Sequence, residues 1–224
     1  MKHLNKEKQD ALKKQAAEKA LEFVPHGEYI GIGTGSTVAF FIEALANSDI
    51  KIKGAVSTSD ETSALMAKYG IPEVTLNEVA HLPVYVDGAD EINHSLHMIK
   101  GGGGALLYEK IVAAASDEFI CIADESKYKS RLGHFPLPVE VLPPARSFVA
   151  RQLVKLGGMP ELRTDFKTAS GNYILDVHDF FIDKPVTMED ELNRIPGVMD
   201  NGIFAHHRAH VLILATENGV EILR

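Results

Sequence analysis

Short apolar runs of β-forming residues alternate with helical segments through the first part of this chain. An amphipathic helix over about 5–24 precedes predicted strands at 29–32, 52–56, 83–86, 97–100 and 118–123, with helical segments between them. Because strands and helices that alternate pack as a parallel sheet covered by helices, this pattern predicts the α/β fold class. Ligands of such sheets bind outside the carboxyl ends of the strands.

The character of the sequence changes after residue 132, where the segment HFPLPVEVLPPA contains four prolines. Beyond it we predict strand, helix, strand, strand, helix and strand at 139–142, 145–156, 160–163, 172–177, 188–194 and 198–204. This order is typical of a ferredoxin-like α+β domain. A final hairpin, 211–215 and 220–223, is expected to rejoin the first domain. The predicted division is therefore 1–132 plus 208–224 for the larger domain and 133–207 for the smaller one.

Charge and composition exclude several classes of protein. The net charge of −8 argues against non-specific nucleic-acid binding, which needs clustered Lys and Arg. Cys121 is the only cysteine, so no disulfide forms within the chain, as is usual in a reducing cytoplasm. No run is apolar enough to span a membrane, and the first twenty residues lack the apolar core of a signal peptide. We therefore expect a cytoplasmic protein that binds neither nucleic acid nor membrane.

The segment GIGTGSTV connects the first predicted strand to a buried helix. Glycines let the backbone approach a ligand, and the free amides and positive dipole end of the helix attract anions. The segment matches neither the dinucleotide-binding fingerprint, because Ser36 replaces its third glycine, nor the nucleotide-triphosphate loop, because no lysine follows Gly35. Thr34, Gly35, Ser36 and Thr37 therefore suit a small phosphate or hydroxyl ligand. The alternative is a turn that needs glycine only for its positive φ.

The stretch 86–110, VDGADEINHSLHMIKGGGGALLYEK, combines carboxylates, an amine and bare backbone amides. Asp87 and Asp90 follow a predicted strand, and Lys100 precedes the glycine run 101–104. Together these groups predict proton-transfer chemistry on a small oxyanionic substrate. For the two aspartates the alternative is turn formation or capping, which Asp-Gly pairs also favour.

Five polar motifs follow predicted strands: GTGST, STSDE, DGADE, KGGGG and DESK. Because the carboxyl ends of parallel strands meet at one edge of a sheet, we expect these motifs to converge. Helix capping is the simpler explanation for the hydroxyls of 57–59. Lys127 of DESK is a further candidate, with a solvated turn as the alternative.

Glu109 differs from an ordinary helix glutamate in its neighbours. The residues three and four positions away are all apolar: Ala105, Leu106, Val112 and Ala113. Burial among them would disfavour the charged carboxylate and raise its pKa towards that of a general base. The alternative is a solvated helix glutamate, but such a residue normally has polar neighbours.

The histidines His206, His207 and His210 suggest a metal site only weakly. Their spacing is not that of helical ligands, and the segment is predicted as strand or loop. A serine hydrolase is also disfavoured, because the chain lacks a Gly-x-Ser-x-Gly nucleophile elbow. We therefore predict no metal ligands.

With GIGTGST, DGADE, KGGGGALLYEK and DESK in this order, the chain resembles the ribose-5-phosphate isomerases of the A type. PVEVLPPA and IPGVMDNGIF extend the resemblance through the smaller domain, whereas ASGNYILD at 169–176 departs from the usual acidic family segment. The resemblance implies a Rossmann-like domain with a ferredoxin-like lobe, assembled as a homodimer or homotetramer. It also implies interconversion of D-ribose 5-phosphate and D-ribulose 5-phosphate in the non-oxidative pentose phosphate pathway, without metal or organic cofactor.

The resemblance also assigns residues. Glu109 matches the catalytic base, and Asp87, Asp90 and Lys100 are the other catalytic candidates. The expected substrate-binding residues are Thr34, Gly35, Ser36, Thr37, Asp87, Gly88, Ala89, Asp90, Lys100, Gly101, Gly102, Gly103 and Lys127. Two alternatives stay open: a non-catalytic sugar-phosphate sensor, and a related sugar-phosphate enzyme or coenzyme A transferase of similar fold.

Overall fold

The computed structural model describes residues 5–224, which form two compact units. The first unit contains the described residues up to 89 together with 111–128 and 209–224. The second contains 90–110 and 129–208. In the described part of the chain, no helix combines the length and the apolar character needed to cross a lipid bilayer.

A six-stranded sheet forms the centre of the first unit. Its strands, numbered along the chain, are β1 (Tyr29–Ile32), β2 (Gly54–Ser57), β3 (Leu82–Asp87), β6 (Ser116–Asp124), β12 (Val211–Thr216) and β13 (Gly219–Leu223). They lie in the order β13-β12-β6-β3-β1-β2, and only β12 and β13 are antiparallel neighbours. This confirms the predicted α/β class and the closing hairpin that rejoins the first sheet.

Helices α1 (Lys6–Ala20), α2 (Ser36–Ala46) and α3 (Asp60–Lys68) belong to this unit. The Asn5 side chain begins α1 by accepting a hydrogen bond from the Lys8 amide at 2.8 Å. Small buried alanines on α1 let it pack closely against β6 and α2. Apolar residues of the strands complete one core, including Ile30, Ile32 and Ile213.

The second unit contains two antiparallel sheets. Strands β7 (Leu137–Val141), β8 (Met159–Leu162), β9 (Tyr173–His178) and β10 (Val198–Asn201) lie in the order β10-β7-β9-β8. Helix α5 (Arg146–Lys155) connects β7 to β8, and α6 (Pro185–Asn193) connects β9 to β10. This βαββαβ sheet is the predicted ferredoxin-like arrangement. A smaller sheet joins β4 (Glu91–Ile92), β5 (Met98–Ile99) and β11 (Ile203–Phe204) in the order β11-β5-β4.

The structure corrects the expectation for 90–110. The strand predicted at 97–100 is β5, which pairs antiparallel with β4 and β11 and is not part of the parallel sheet. The Lys100 amide then donates to the Gly202 carbonyl at 2.9 Å. These pairings place 90–110 in the second unit, whereas the predicted division placed 90–132 in the first. The strand predicted at 198–204 is also divided, into β10 and β11, at Gly202. The backbone of Lys100 approaches so closely there that a Cβ on Gly202 would overlap the Lys100 carbonyl.

His97, between β4 and β5, makes the stability of the fold depend on pH. Its pKa is lowered from the ordinary value of 6.5, chiefly because burial disfavours the imidazolium. The charges of Arg208 and His94 lower the pKa further, and Glu189 opposes them. There is therefore a pH range in which His97 is protonated in the unfolded chain but neutral in the folded protein.

This difference predicts a loss of stability as the pH falls below about 6.5, where the unfolded state binds the additional proton. In urea titrations, the free energy of unfolding should fall less between about pH 7.5 and about pH 5.5 for His97→Gln than for the wild type. Exposed His26 provides the control variant, His26→Gln. Equal pH dependence in His97→Gln and the wild type would contradict the prediction.

Candidate active site

The first unit has a topological switch point between β1 and β3. From β1 the chain continues to β2 on one side, and β3 lies on the other side of β1. The Gly33 amide, at the end of β1, donates to the Val86 carbonyl of β3 at 2.9 Å. The loops after β1 and β3 therefore leave the sheet at the crevice where open α/β sheets bind ligands.

The loop after β1 presents the N-terminus of α2. Gly35 is the N-cap and has a φ of 109°, a conformation that favours glycine. Gly35 and Ser36 are exposed, and Thr37 is half-buried. Since the first-turn amides of a helix have no acceptor within it, this end of α2 suits an anionic group.

Asp87 is fully buried at the end of β3 and connects the two loops. Its Oδ1 accepts hydrogen bonds from the amides of Thr34 at 3.1 Å and Gly88 at 2.7 Å. The Tyr85 hydroxyl donates to Oδ2. A Cβ on Gly33 would overlap the Asp87 carboxylate, so the approach of the two loops requires glycine there. Thr34 and Gly88 are thus brought together by one carboxylate.

Hydroxyl groups connect the loop after β1 to the loop after β2. The Thr34 hydroxyl lies 2.8 Å from that of Thr58 and donates to the Ser59 hydroxyl at 2.9 Å. Ser59 caps α3 by accepting from the Thr62 amide at 3.2 Å, which confirms capping in this motif. The sequence did not reveal that these hydroxyls fix Thr34.

Lys127 lies in a 3-10 turn, Glu125–Lys127, that follows β6. The Asp124 side chain fixes this turn by accepting from the Ser126 amide at 3.0 Å. Because β6 is the parallel neighbour of β3, Lys127 belongs to the same edge of the sheet as Asp87. Its side chain is half-buried.

In the second unit, Lys100 and Glu109 form a buried ion pair. The Lys100 Nζ lies 3.2 Å from Glu109 Oε2, and the two side chains are 3% and 6% exposed. Glu109 lies on α4 (Leu106–Ala114) beside apolar Leu106, as the sequence predicted. The sequence predicted Lys100 as a candidate but not its pairing with Glu109, in which the ammonium group favours the charged carboxylate while burial disfavours it. The fixed ammonium can also stabilise negative charge that develops beside the carboxylate.

The glycine run begins directly after Lys100, and Asp90 fixes it. Asp90 Oδ2 accepts a hydrogen bond from the Gly102 amide at 2.8 Å. The Asp90 amide in turn donates to the Ile99 carbonyl at 2.9 Å. A Cβ on Gly102 would lie 2.7 Å from Asp90 Oδ1, so the close approach requires glycine. Asp90, Lys100 and the run therefore form one group with Glu109.

Three further charged groups contribute to this unit: Lys110 and Arg163 were missed from the sequence, whereas Glu91 belongs to the DGADE motif. Lys110 is buried, and its Nζ donates to Asp200, to two backbone carbonyls and towards Glu189. Arg163 contacts the glycine run, as described below. Glu91 accepts from two backbone amides, those of Gly133 and Phe135. Lys110 has apolar helical neighbours like those of Glu109, so the same sequence criterion would have found it.

The histidines of 206–210 serve separate partners. His206 Nε2 lies 2.8 Å from Asp190 Oδ1, whereas His210 Nδ1 accepts from the Phe119 amide at 2.9 Å. Among residues 5–224, no group of three or more His, Cys, Asp or Glu side chains is arranged to hold a metal ion.

Comparisons with known proteins agree on one family. A family model described as ribose 5-phosphate isomerase A (phosphoriboisomerase A) matches residues 54–219. Ribose-5-phosphate isomerase A of Neisseria meningitidis serogroup C (strain 053442) is 66% identical over 215 residues, 96% of each chain. The crystal structure of ribose 5 phosphate isomerase A from Neisseria gonorrhoeae is 65% identical, with a TM-score of 0.95 and 96% of each chain covered. A structure of D-ribose-5-phosphate isomerase in complex with phospho-erythronic acid is 39% identical, with a TM-score of 0.92, covering 96% of this chain and 98% of that one.

Proposed function

The chain belongs to the ribose 5-phosphate isomerase A family, and we propose that it interconverts D-ribose 5-phosphate and D-ribulose 5-phosphate. The observation that carries this proposal is the buried Glu109–Lys100 pair beside the glycine run. Aldose–ketose isomerisation requires one base that moves a proton between adjacent carbons and a cationic or amide-rich site for the oxyanion.

We assign the proton transfer to Glu109. Its carboxylate removes the C2 proton of the ring-opened aldose, the electron pair of the C–H bond forms a C1–C2 double bond, and the π electrons of the C1 carbonyl move onto O1 as an oxyanion. The product of this step is a cis-enediolate. A proton then moves from O2 to O1, Glu109 delivers a proton to C1, and the electron pair on O2 forms the C2 carbonyl of the ketose. No atoms are gained or lost, and no redox cofactor is involved.

Lys100 and the amides of Gly101, Gly102 and Gly103 are the groups that we assign to the oxyanion. A fixed ammonium and fixed N–H groups stabilise developing charge without reorganisation, and burial strengthens that interaction. The 3.2 Å contact with Glu109 supports this role, because the same ammonium can follow the charge from carboxylate to enediolate.

The remaining candidates are proposed to bind the substrate. Thr34, Gly35, Ser36 and Thr37 present the N-terminus of α2, which favours an anion. Asp87, Gly88, Ala89 and Asp90 are assigned to the sugar hydroxyls, with the two aspartates assisting ring opening. Lys127 is assigned to an anionic group of the substrate.

We also propose that the enzyme acts in the cytoplasm, in the non-oxidative pentose phosphate pathway, as a homodimer or homotetramer. The single cysteine is buried, which is consistent with a reducing compartment. The relatives' names support the pathway assignment. Size-exclusion chromatography with light scattering measures the subunit number.

A spectrophotometric assay of ribulose 5-phosphate formation from ribose 5-phosphate, with and without a chelator, tests the proposed function. We expect turnover that the chelator does not change. Tight binding of ribose 5-phosphate without turnover would indicate a sensor. Transfer of coenzyme A from an acyl thioester to a free carboxylate, without isomerisation, would indicate a coenzyme A transferase.

A further inference from the structure

Arg163 makes an unusual set of contacts in the second unit. Its Nη1 donates to the carbonyls of Gly101 at 3.3 Å and Gly102 at 3.2 Å, and its Nη2 also donates to that of Gly101. The Nε and Nη2 groups donate to both Asp176 carboxylate oxygens, at 2.8 and 2.6 Å. One guanidinium therefore connects a carboxylate of the ferredoxin-like sheet to two consecutive carbonyls of the glycine run.

The position of Arg163 is fixed by regular structure. It directly follows β8, and its amide donates to the Ile174 carbonyl of β9 at 2.9 Å. Asp176 lies on β9 itself, and the Phe166 ring lies 5.2 Å from the guanidinium carbon. The Arg163 and Asp176 side chains are only 18% and 20% exposed. A planar guanidinium with a bidentate partner loses little further entropy when it binds the carbonyls.

These contacts determine where the amides of the glycine run point. In a trans peptide the C=O and N–H groups point in opposite directions. The Gly101 carbonyl faces Arg163, and the Gly102 amide of the same peptide donates to Asp90 on the other side. Since the Gly102 carbonyl also faces Arg163, the Gly103 amide points to the side of Asp90 as well. Asp90 already occupies the Gly102 amide, so the Gly103 amide is the N–H group that this arrangement presents to an anion.

We propose that Arg163, held by Asp176, is a positioning residue that fixes the Gly102–Gly103 peptide so that its Gly103 amide faces the enediolate oxyanion. Arg163 acts through the peptide groups and does not itself contact the substrate. Its charge also polarises both peptides, which strengthens their N–H groups as donors. This inference rests on the proposed function, because the oxyanion is the intermediate of the isomerisation.

The variant Arg163→Gln tests the proposal, and the chain offers a matched control. Arg131 also binds an aspartate with two nitrogens, Asp183, and stacks on a phenylalanine ring 4.8 Å away. No contact between Arg131 and the glycine run occurs within the described residues. Arg131→Gln therefore removes a two-point arginine–aspartate pair that is more exposed, while the carbonyls of the run keep their partner.

We expect Arg163→Gln to lower kcat about 10- to 100-fold with a much smaller change in KM, since an oxyanion donor acts mainly in the transition state. Arg163→Lys should recover part of kcat, because an ammonium can bind the carbonyls but cannot also bind Asp176 at two points. Asp176→Asn should lower kcat less than Arg163→Gln. Arg131→Gln should leave kcat unchanged.

The affinities of two ligands distinguish a loss of amide positioning in Arg163→Gln from a general loss of structure. Phospho-erythronic acid carries a planar carboxylate that resembles the enediolate, whereas ribitol 5-phosphate has no charge or planar carbon at C1 and C2. Isothermal titration should show weaker binding of phospho-erythronate to Arg163→Gln, by about the factor lost in kcat, and unchanged binding of ribitol 5-phosphate. Equal weakening of both ligands, or kinetics equal to those of Arg131→Gln, would overturn the proposal. Absence of isomerase activity in the wild type would instead contradict the proposed function.

Discussion

Glu109→Gln should lower kcat by about 10²- to 10⁴-fold, because the amide cannot take the C2 proton. Glutamine keeps the size of the side chain and can still accept a hydrogen bond from Lys100, so ribitol 5-phosphate should bind nearly as well as to the wild type. Steady-state assays give kcat and KM, and titration calorimetry gives the affinity. A lower kcat with unchanged affinity would indicate loss of the general base, whereas weaker binding would indicate damage to the binding site.

The matched control for this variant is Glu43→Gln, which makes the same change at an exposed position of α2. It should have wild-type kcat. Thermal unfolding of both variants shows whether the buried position tolerates the change, and Glu109→Asp tests whether a shorter carboxylate retains part of the rate. A near-normal kcat of Glu109→Gln would contradict the assignment of Glu109 as the general base.

Lys110→Met should destabilise the fold by about 3–5 kcal/mol, the usual cost of removing one partner of a buried ion pair. The Lys110 side chain is 8% exposed, and its Nζ lies 3.0 Å from Glu189 and 2.7 Å from Asp200. Methionine fills a similar volume but removes the positive charge that balances these two carboxylates and the donor to two backbone carbonyls. Urea titration of the whole chain measures the free energy of unfolding.

Exposed Lys155 on α5 provides the control, Lys155→Met, which should change the free energy of unfolding by less than about 0.5 kcal/mol. The double variant Lys110→Met/Glu189→Gln should be more stable than the sum of the single changes predicts, because it also removes the unpaired charge. If Lys110→Met unfolds like Lys155→Met, the assigned network contributes nothing to stability.

The order of strands and helices could be predicted because most strands of the large sheets are short apolar runs and the helices have a helical spacing of apolar residues. Strand β12 of the closing hairpin is one of these apolar runs. Strands β4, β5 and β11 are two residues long and have no period, so their sheet could not be predicted. For this reason the strand predicted at 97–100 was assigned to the wrong sheet.

The sequence identified candidate residues where the pattern involved residues close together in the chain. Glu109 was selected because its neighbours on one helix are apolar, and the structure buries it. The partners of Lys110 are about 80 to 90 positions further along the chain, and Arg163 binds carbonyls 61 and 62 positions earlier. No local pattern predicts such pairings, since they depend on how strands are placed in three dimensions.

Solvent exchange during turnover tests the central claim, that a proton moves through Glu109 by way of an enediolate. Ribose 5-phosphate is held with the enzyme in D₂O over many forward and reverse turnovers, and both sugars are followed by NMR. The account predicts deuterium at C2 of the aldose and at C1 of the ketose with the wild type and Glu43→Gln, and far slower incorporation with Glu109→Gln. Full equilibration of the two sugars without any deuterium after many turnovers would mean that the hydrogen never reaches a group that exchanges with solvent, and would contradict proton transfer through the Glu109 carboxyl.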